Sequence, residues 1–139
     1  MTPRTIMSTR LGDRLPELRR TPDIVQSFQY NAVFFNAHRI HFEQEYATQA
    51  EGYRALVAPG PLLGDWLGQC AEAWLQGGGR LVKLQYSNRS AAYVDEEIVI
   101  GGTVTAIDPD IREVTLELWA KNLGGELLVP GMARVRLIA

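Results

Sequence analysis

The sequence is short of the residues that carry metal, redox and nucleic-acid chemistry. It holds one cysteine, Cys70, and two histidines in 139 residues. A single cysteine cannot close an internal disulfide, so the fold does not depend on an oxidising compartment. Without cysteine pairs or an H-E-x-x-H spacing there is no zinc motif, and neither a metal nor any other cofactor is expected. No basic run occurs and the net charge is −2, which argues against a nucleic-acid surface. No stretch approaches the roughly 18 apolar residues of a membrane span, and the N-terminus lacks the apolar run of a signal peptide. A cytoplasmic protein without membrane contact is expected. Hydrophobic residues make up 46% and charged residues 22%, the balance of one globular domain with one core.

Residues 1–10 (MTPRTIMSTR) carry no periodicity and are expected to form a flexible arm, leaving 11–139 as a single domain. GDRLPELRRT can hold a short first strand. Thr21, Pro22 and Asp23 then give the start signal of a helix, with Thr21 as N-cap and Pro22 at the first helical position. Ile24, Val25, Phe28 and Ala32 fall on one face of it. FEQEYATQA reads as a short helix. The strongest helical signal runs from Pro61, where Leu62, Leu63, Trp66, Leu67, Cys70, Ala71, Trp74 and Leu75 make a wide apolar stripe. Gly60, Gly64 and Gly68 recur every fourth residue, and such a cost in helix propensity predicts close approach of another backbone. Gly77, Gly78 and Gly79 stop the helix.

The remainder reads as strand: 81–87, 97–107, 113–122 and 133–138. Val114, Leu116, Leu118 and Ala120 alternate with polar or amphipathic partners, the pattern of a half-buried antiparallel strand. One short strand, helices, a long buried helix and four antiparallel strands imply an α+β architecture with a sheet wrapped around a single helix.

Both histidines fall in FNAHRIHF, as His38 and His41, with Asn36 five residues before the second. On residue type alone, either histidine is more often structural than catalytic. The stretch N-x-H-R-I-H and the following G-Y-x-x-L-V-x-x-G-P-L, residues 52–62, carry more. Together with GDRLPELRRTPDIVQSFQY before them and ELWAKN after, they resemble the MaoC-like acyl-CoA hydratases and dehydratases. The nearest branch is that of mesaconyl-CoA-type hydratases and the FAS1-like dehydratase domains. That resemblance implies a hot-dog fold, in which an antiparallel sheet wraps a long central α-helix.

It also implies roles. The family's general-base histidine falls on His41, and its usual aspartate falls on Asn36. The backbone N–H that holds the thioester oxygen falls on Gly60, at the opening of the central helix. Pro59 stands where many relatives carry a histidine. From residue type and place, Arg39, Tyr53 and Leu62 are the candidates for contact with substrate, Arg39 toward a CoA phosphate and Tyr53 along the acyl pocket, beside the commoner roles of a solvated arginine and a loop-packing tyrosine. His38 and the buried-stripe Cys70 are expected to be structural. The chemistry suits the residue types. Histidine exchanges protons near neutral pH, an asparagine carbonyl can aim a water, and a helix N-terminus stabilises developing negative charge. Glu45, four residues after His41, is a candidate to orient its ring.

The expected activity is an enoyl-CoA hydratase, or in reverse a 3-hydroxyacyl dehydratase, with an (R)-3-hydroxyacyl product and a place in fatty acid metabolism. A hot-dog acyl-CoA thioesterase is the first alternative, with Asp65 the carboxylate on the central helix. A non-catalytic subunit of a heteromeric hydratase is the second. Because many relatives are double hot dogs, the expected partner is another copy in a homodimer or higher oligomer, or a second hot-dog subunit in a heterodimer.

Overall fold

The computed structural model describes all residues, Met1–Ala139. In chain order the elements are β1 (Leu18–Arg20), α1 (Ile24–Val33), a 3₁₀ turn (Arg39–His41), a π turn (Tyr46–Ala50), α2 (Gly60–Leu75), β2 (Gly79–Tyr86), β3 (Ile98–Asp108), β4 (Glu113–Asn122) and β5 (Leu127–Leu137). The five strands form one antiparallel sheet in the order β1-β3-β4-β5-β2. Register shifts interrupt the ladders at Leu81/Lys83, Val104/Ala106 and Ala120/Lys121. Extra residues of this kind increase strand twist and bend, and here the sheet curls around α2.

The apolar stripe of α2 is the core. Leu63, Trp66, Leu67, Cys70, Ala71, Trp74 and Leu75 are buried and meet the inward side chains of the sheet. On β4 those are Val114, Leu116, Leu118 and Ala120, all buried as the alternation predicts. The thiol of Cys70 is pushed up to about 11, first by burial and then by Glu17, so it is neutral packing material.

Several local readings shift. The N-cap of α1 is Asp23 rather than Thr21: its carboxylate accepts from the Gln26 N–H at 2.8 Å. The strand foreseen at 133–138 begins six residues earlier, at Leu127. Pro130 and Gly131 hide that first half from a propensity reading, yet the Pro130 carbonyl still accepts from the Ser87 N–H. The glycines on α2 admit side chains of β2 and of the residues just after it rather than another backbone. A Cβ at Gly60 would collide with Asn88, one at Gly64 with the Tyr86 ring, and one at Gly68 would touch Leu84 at 3.5 Å.

Arg4, Ile6 and Thr9 of the expected arm lie against the body. The Arg4 N–H donates to Leu75 O, the Ile6 N–H to Ala139 O, the Arg4 guanidinium sits over Trp74, and Thr9 is buried. α1 is laid out with its polar side inward. Ser27 and Asn31 are buried with no partner for their side-chain polar atoms, whereas Ile24, Val25 and Phe28 are exposed.

Candidate active site

The segment after α1 is bent by Phe35, whose φ of 55 lies in the left-handed region. Asn36 follows, and its Oδ1 accepts from the His38 N–H at 3.1 Å. This turn fixes the amide through one lone pair of its oxygen and leaves the second lone pair and the NH₂ for another partner. His38 caps the next turn, its Nδ1 accepting from the Ile40 N–H at 3.3 Å. The 3₁₀ turn then carries His41 inward, where only 7% of it is exposed.

His41 Nδ1 lies 2.7 Å from Val57 O. A carbonyl can only accept, so Nδ1 carries the proton and the neutral ring keeps its lone pair on Nε2. Burial lowers the pKa of His41 below the usual imidazole value and outweighs the opposing bond to Val57, with the nearby His38 lowering it further. The ring is therefore an unprotonated base at neutral pH, held in one tautomer. Glu45 has no part in this. It is exposed, and the ring is oriented by a backbone carbonyl instead.

Asn36, His41, Tyr53 and Gly60 line a single cleft of about 320 Å³. Ile40, Val57, Ala58 and Leu63 give it apolar walls, and Asn88, Arg89, Ser90, Ala91 and Ala92 close its other side. Gly60 opens α2, and its N–H has no acceptor within the chain. Pro61 has no N–H, and the Leu62 N–H donates back to Pro59 O at 3.1 Å. Gly60 is thus the free donor at the positive end of a 16-residue helix. The cleft joins a fixed base, an amide and an anion-stabilising N–H.

Two of the residues expected to touch substrate lie elsewhere. Arg39 points to solvent, bonded to Glu43 through two N–H···O contacts of 2.9 and 2.8 Å and stacked over Tyr46. Leu62 is buried in the core, and its neighbour Leu63 lines the cleft. The segment 88–92 is the contribution that motif reading does not provide. Its only sequence signal is its position directly after β2, beside the helix start.

Asp65 stands apart from these residues. The Tyr30 hydroxyl donates to its Oδ2 at 2.8 Å, and the Tyr30 phenol is pushed up by burial and by this carboxylate. No cluster of three or more His, Cys, Asp or Glu that could hold a metal occurs, and no helix is long and apolar enough to cross a membrane.

The family model for hydroxyacyl-thioester dehydratase type 2 matches residues 7–94, which include every residue of the cleft. The chain belongs to this family. Within it, the mitochondrial hydroxyacyl-thioester dehydratase type 2 of Schizosaccharomyces pombe is 54% identical over 43 residues, covering 31% of this chain and 14% of that protein. Mesaconyl-C(4)-CoA hydratase of Chloroflexus aurantiacus is 50% identical over 42 residues, covering 30% of this chain and 15% of that protein. The matched segments are thus a small part of both relatives.

The fold is shared more widely. An (R)-hydratase from A. caviae involved in PHA biosynthesis superposes with a TM-score of 0.85 at 21% identity, over 94% of this chain and 98% of that one. A MaoC-like dehydratase superposes with a TM-score of 0.88 at 22% identity, over 97% of this chain and 42% of that one. This member of the family has the hot-dog fold implied by its sequence.

Proposed function

We propose that the chain is a hydro-lyase that adds water reversibly across a 2-enoyl thioester, giving a 3-hydroxyacyl thioester. The observation that carries this reading is the shared cleft of His41, kept neutral by burial and held in one tautomer by Val57, and Gly60, the unengaged N–H at the start of α2. In the hydration direction, His41 Nε2 takes a proton from water while the water oxygen bonds to C3. The electron pair of the double bond moves toward the thioester oxygen, where the Gly60 N–H and the helix end stabilise it. The same imidazolium then returns the proton to C2. One base serving both carbons requires both new bonds to form on one face, so the addition is syn. Asn36 aims the water through the free lone pair of its oxygen. Tyr53 stands on the cleft wall beside the acyl group. An (R) product is favoured by analogy with the (R)-hydratase whose fold the chain shares, and CoA as carrier by analogy with the mesaconyl-C(4)-CoA hydratase that it matches.

The thioesterase alternative needs a carboxylate beside the thioester. Asp65 is instead hydrogen-bonded to Tyr30 and does not line the cleft, which favours the hydratase. A second hot-dog chain, a copy or a related subunit, is the proposed partner. The exposed apolar face of α1, with Ile24, Val25, Phe28 and Phe42 around one groove, is a surface that a monomer in water would leave uncovered.

The test is direct. The purified chain is supplied with crotonyl-, mesaconyl- and longer enoyl-CoA, and loss of the conjugated thioester absorbance is followed beside release of free thiol. Hydration without thiol release, abolished in His41→Ala, supports the proposal. Thiol release without hydration establishes the thioesterase. Inactivity of the pure chain that is relieved only by a second hot-dog subunit, and that does not depend on His41, establishes the supporting-subunit role.

A further inference from the structure

We propose that Asn88 and Tyr86 end the acyl pocket within the first turns of α2, so that the enzyme selects short acyl groups. This rests on the hydratase reading for the position of the thioester, between His41 and Gly60. From there an acyl tail has few ways to run. The floor is closed by Ala58, Leu63 and Ala92, each no more than 5% exposed and part of the continuous core.

The direction along α2 is closed in register. Asn88, just past β2, sits against Gly60, and Tyr86 and Leu84 of β2 sit against Gly64 and Gly68, each facing the helix one turn further on. Neither Gly60 nor Gly64 could carry a Cβ without displacing the side chain seated on it. The first barrier is an amide, and a methylene chain pushed against it would strip water from a polar group without replacing its hydrogen bonds. The second is an aromatic ring lying over the bare helix backbone. A cleft of about 320 Å³ is at the low end of the roughly 300–1,000 Å³ usual for small-molecule sites. A long tail would remain in solvent and gain nothing from its length.

Removing the Tyr86 ring uncovers the Gly64 surface for one helical turn, about 5.4 Å, which is the length of roughly four methylenes. Each methylene then taken from water is worth about fourfold in affinity. The experiment measures kcat/KM for enoyl-CoA of 4, 6, 8 and 12 carbons, together with binding of the matching saturated acyl-CoA. It uses the full-length wild type, Tyr86→Phe, Tyr86→Ala and the double variant Asn88→Ala/Tyr86→Ala. Binding of saturated acyl-CoA reads the pocket length whether or not water is added.

For the wild type, affinity is expected to stop rising beyond about six carbons, and Tyr86→Phe should show the same length profile. In Tyr86→Ala, and more strongly in the double variant, the ratio of eight-carbon to four-carbon affinity should rise at least tenfold. Wild-type affinity that climbs steadily to twelve carbons overturns the proposal, as does a length profile unchanged in the double variant. Length-dependent binding without hydration in any protein would sink the hydratase reading and leave the pocket boundary standing.

Discussion

Replacing His41 separates what the ring does for the chemistry from what it does for the fold. In His41→Ala the buried Val57 carbonyl loses the donor that sits 2.7 Å away. An orphaned buried acceptor costs about 1–3 kcal/mol, so the thermal midpoint should fall by several degrees. Glutamine changes the balance, because its side-chain NH₂ can donate to that carbonyl but its amide cannot take a proton. His41→Gln should therefore recover much of the lost stability. Neither variant has a base, and a positioned general base is worth roughly 10²–10⁴ in rate, or about 3–5 kcal/mol of barrier at 1.36 kcal/mol per decade. Enoyl thioester absorbance gives kcat/KM, and a thermal melt of the same preparations gives stability. A His41→Gln protein that keeps more than about a tenth of the wild-type kcat/KM would refute the assignment of His41 as the base.

Other outcomes follow from the same geometry. In Gly60→Ala the new methyl meets the Asn88 amide, an exposed side chain that gives way to a covalently fixed methyl at little cost in stability. Alanine also suits a helix better by up to about 1 kcal/mol, so the melting temperature should hold while kcat/KM drops at least tenfold; equal losses in both would place Gly60 in packing alone. The thiol of Cys70, buried and pushed up to about 11, should resist a disulfide reagent at pH 8 in the native protein and react at once in denaturant. Rapid native labelling would contradict its place in the core.

The central helix was legible because its apolar stripe is wide and its ends are marked by Pro61 and by the glycine run. β4 was legible because a strand buried on one face alternates. β5 was half hidden, since Pro130 and Gly131 have poor strand propensity and are tolerated only because the ladder is bonded around them. At the site, the resemblance pointed to His41, Asn36, Tyr53 and Gly60, and all four line one cleft. The expected contact at Leu62 falls in the core, and Leu63, about 100° further around the helix, lines the cleft because the docking of α2 on the sheet sets the phase. Arg39 has the solvated placement usual for its residue type, exposed and paired with Glu43 one turn away. Asn88 to Ala92 have no motif, and only the antiparallel return of the sheet brings them beside the helix start. Polar Ser27 and Asn31 face inward on α1 against the usual pattern, while Ile24, Val25 and Phe28 face outward on the side proposed for the partner.

Acidification probes the central claim from the side of the proton. Burial depresses the pKa of His41 below its ordinary value of 6.5. An unfolded chain therefore binds the proton first as pH falls, and the stability associated with the neutral ring is present above 6.5 and lost as pH drops through the lower, folded value. The decisive measurement is the pH dependence of kcat/KM for enoyl-CoA hydration, set beside the titration of the His41 ring followed by NMR in the same protein. The account predicts one acid limb, with an apparent pKa below 6.5 that coincides with the ring titration. An acid limb above that value, or one that leaves the ring signals unmoved, would contradict it.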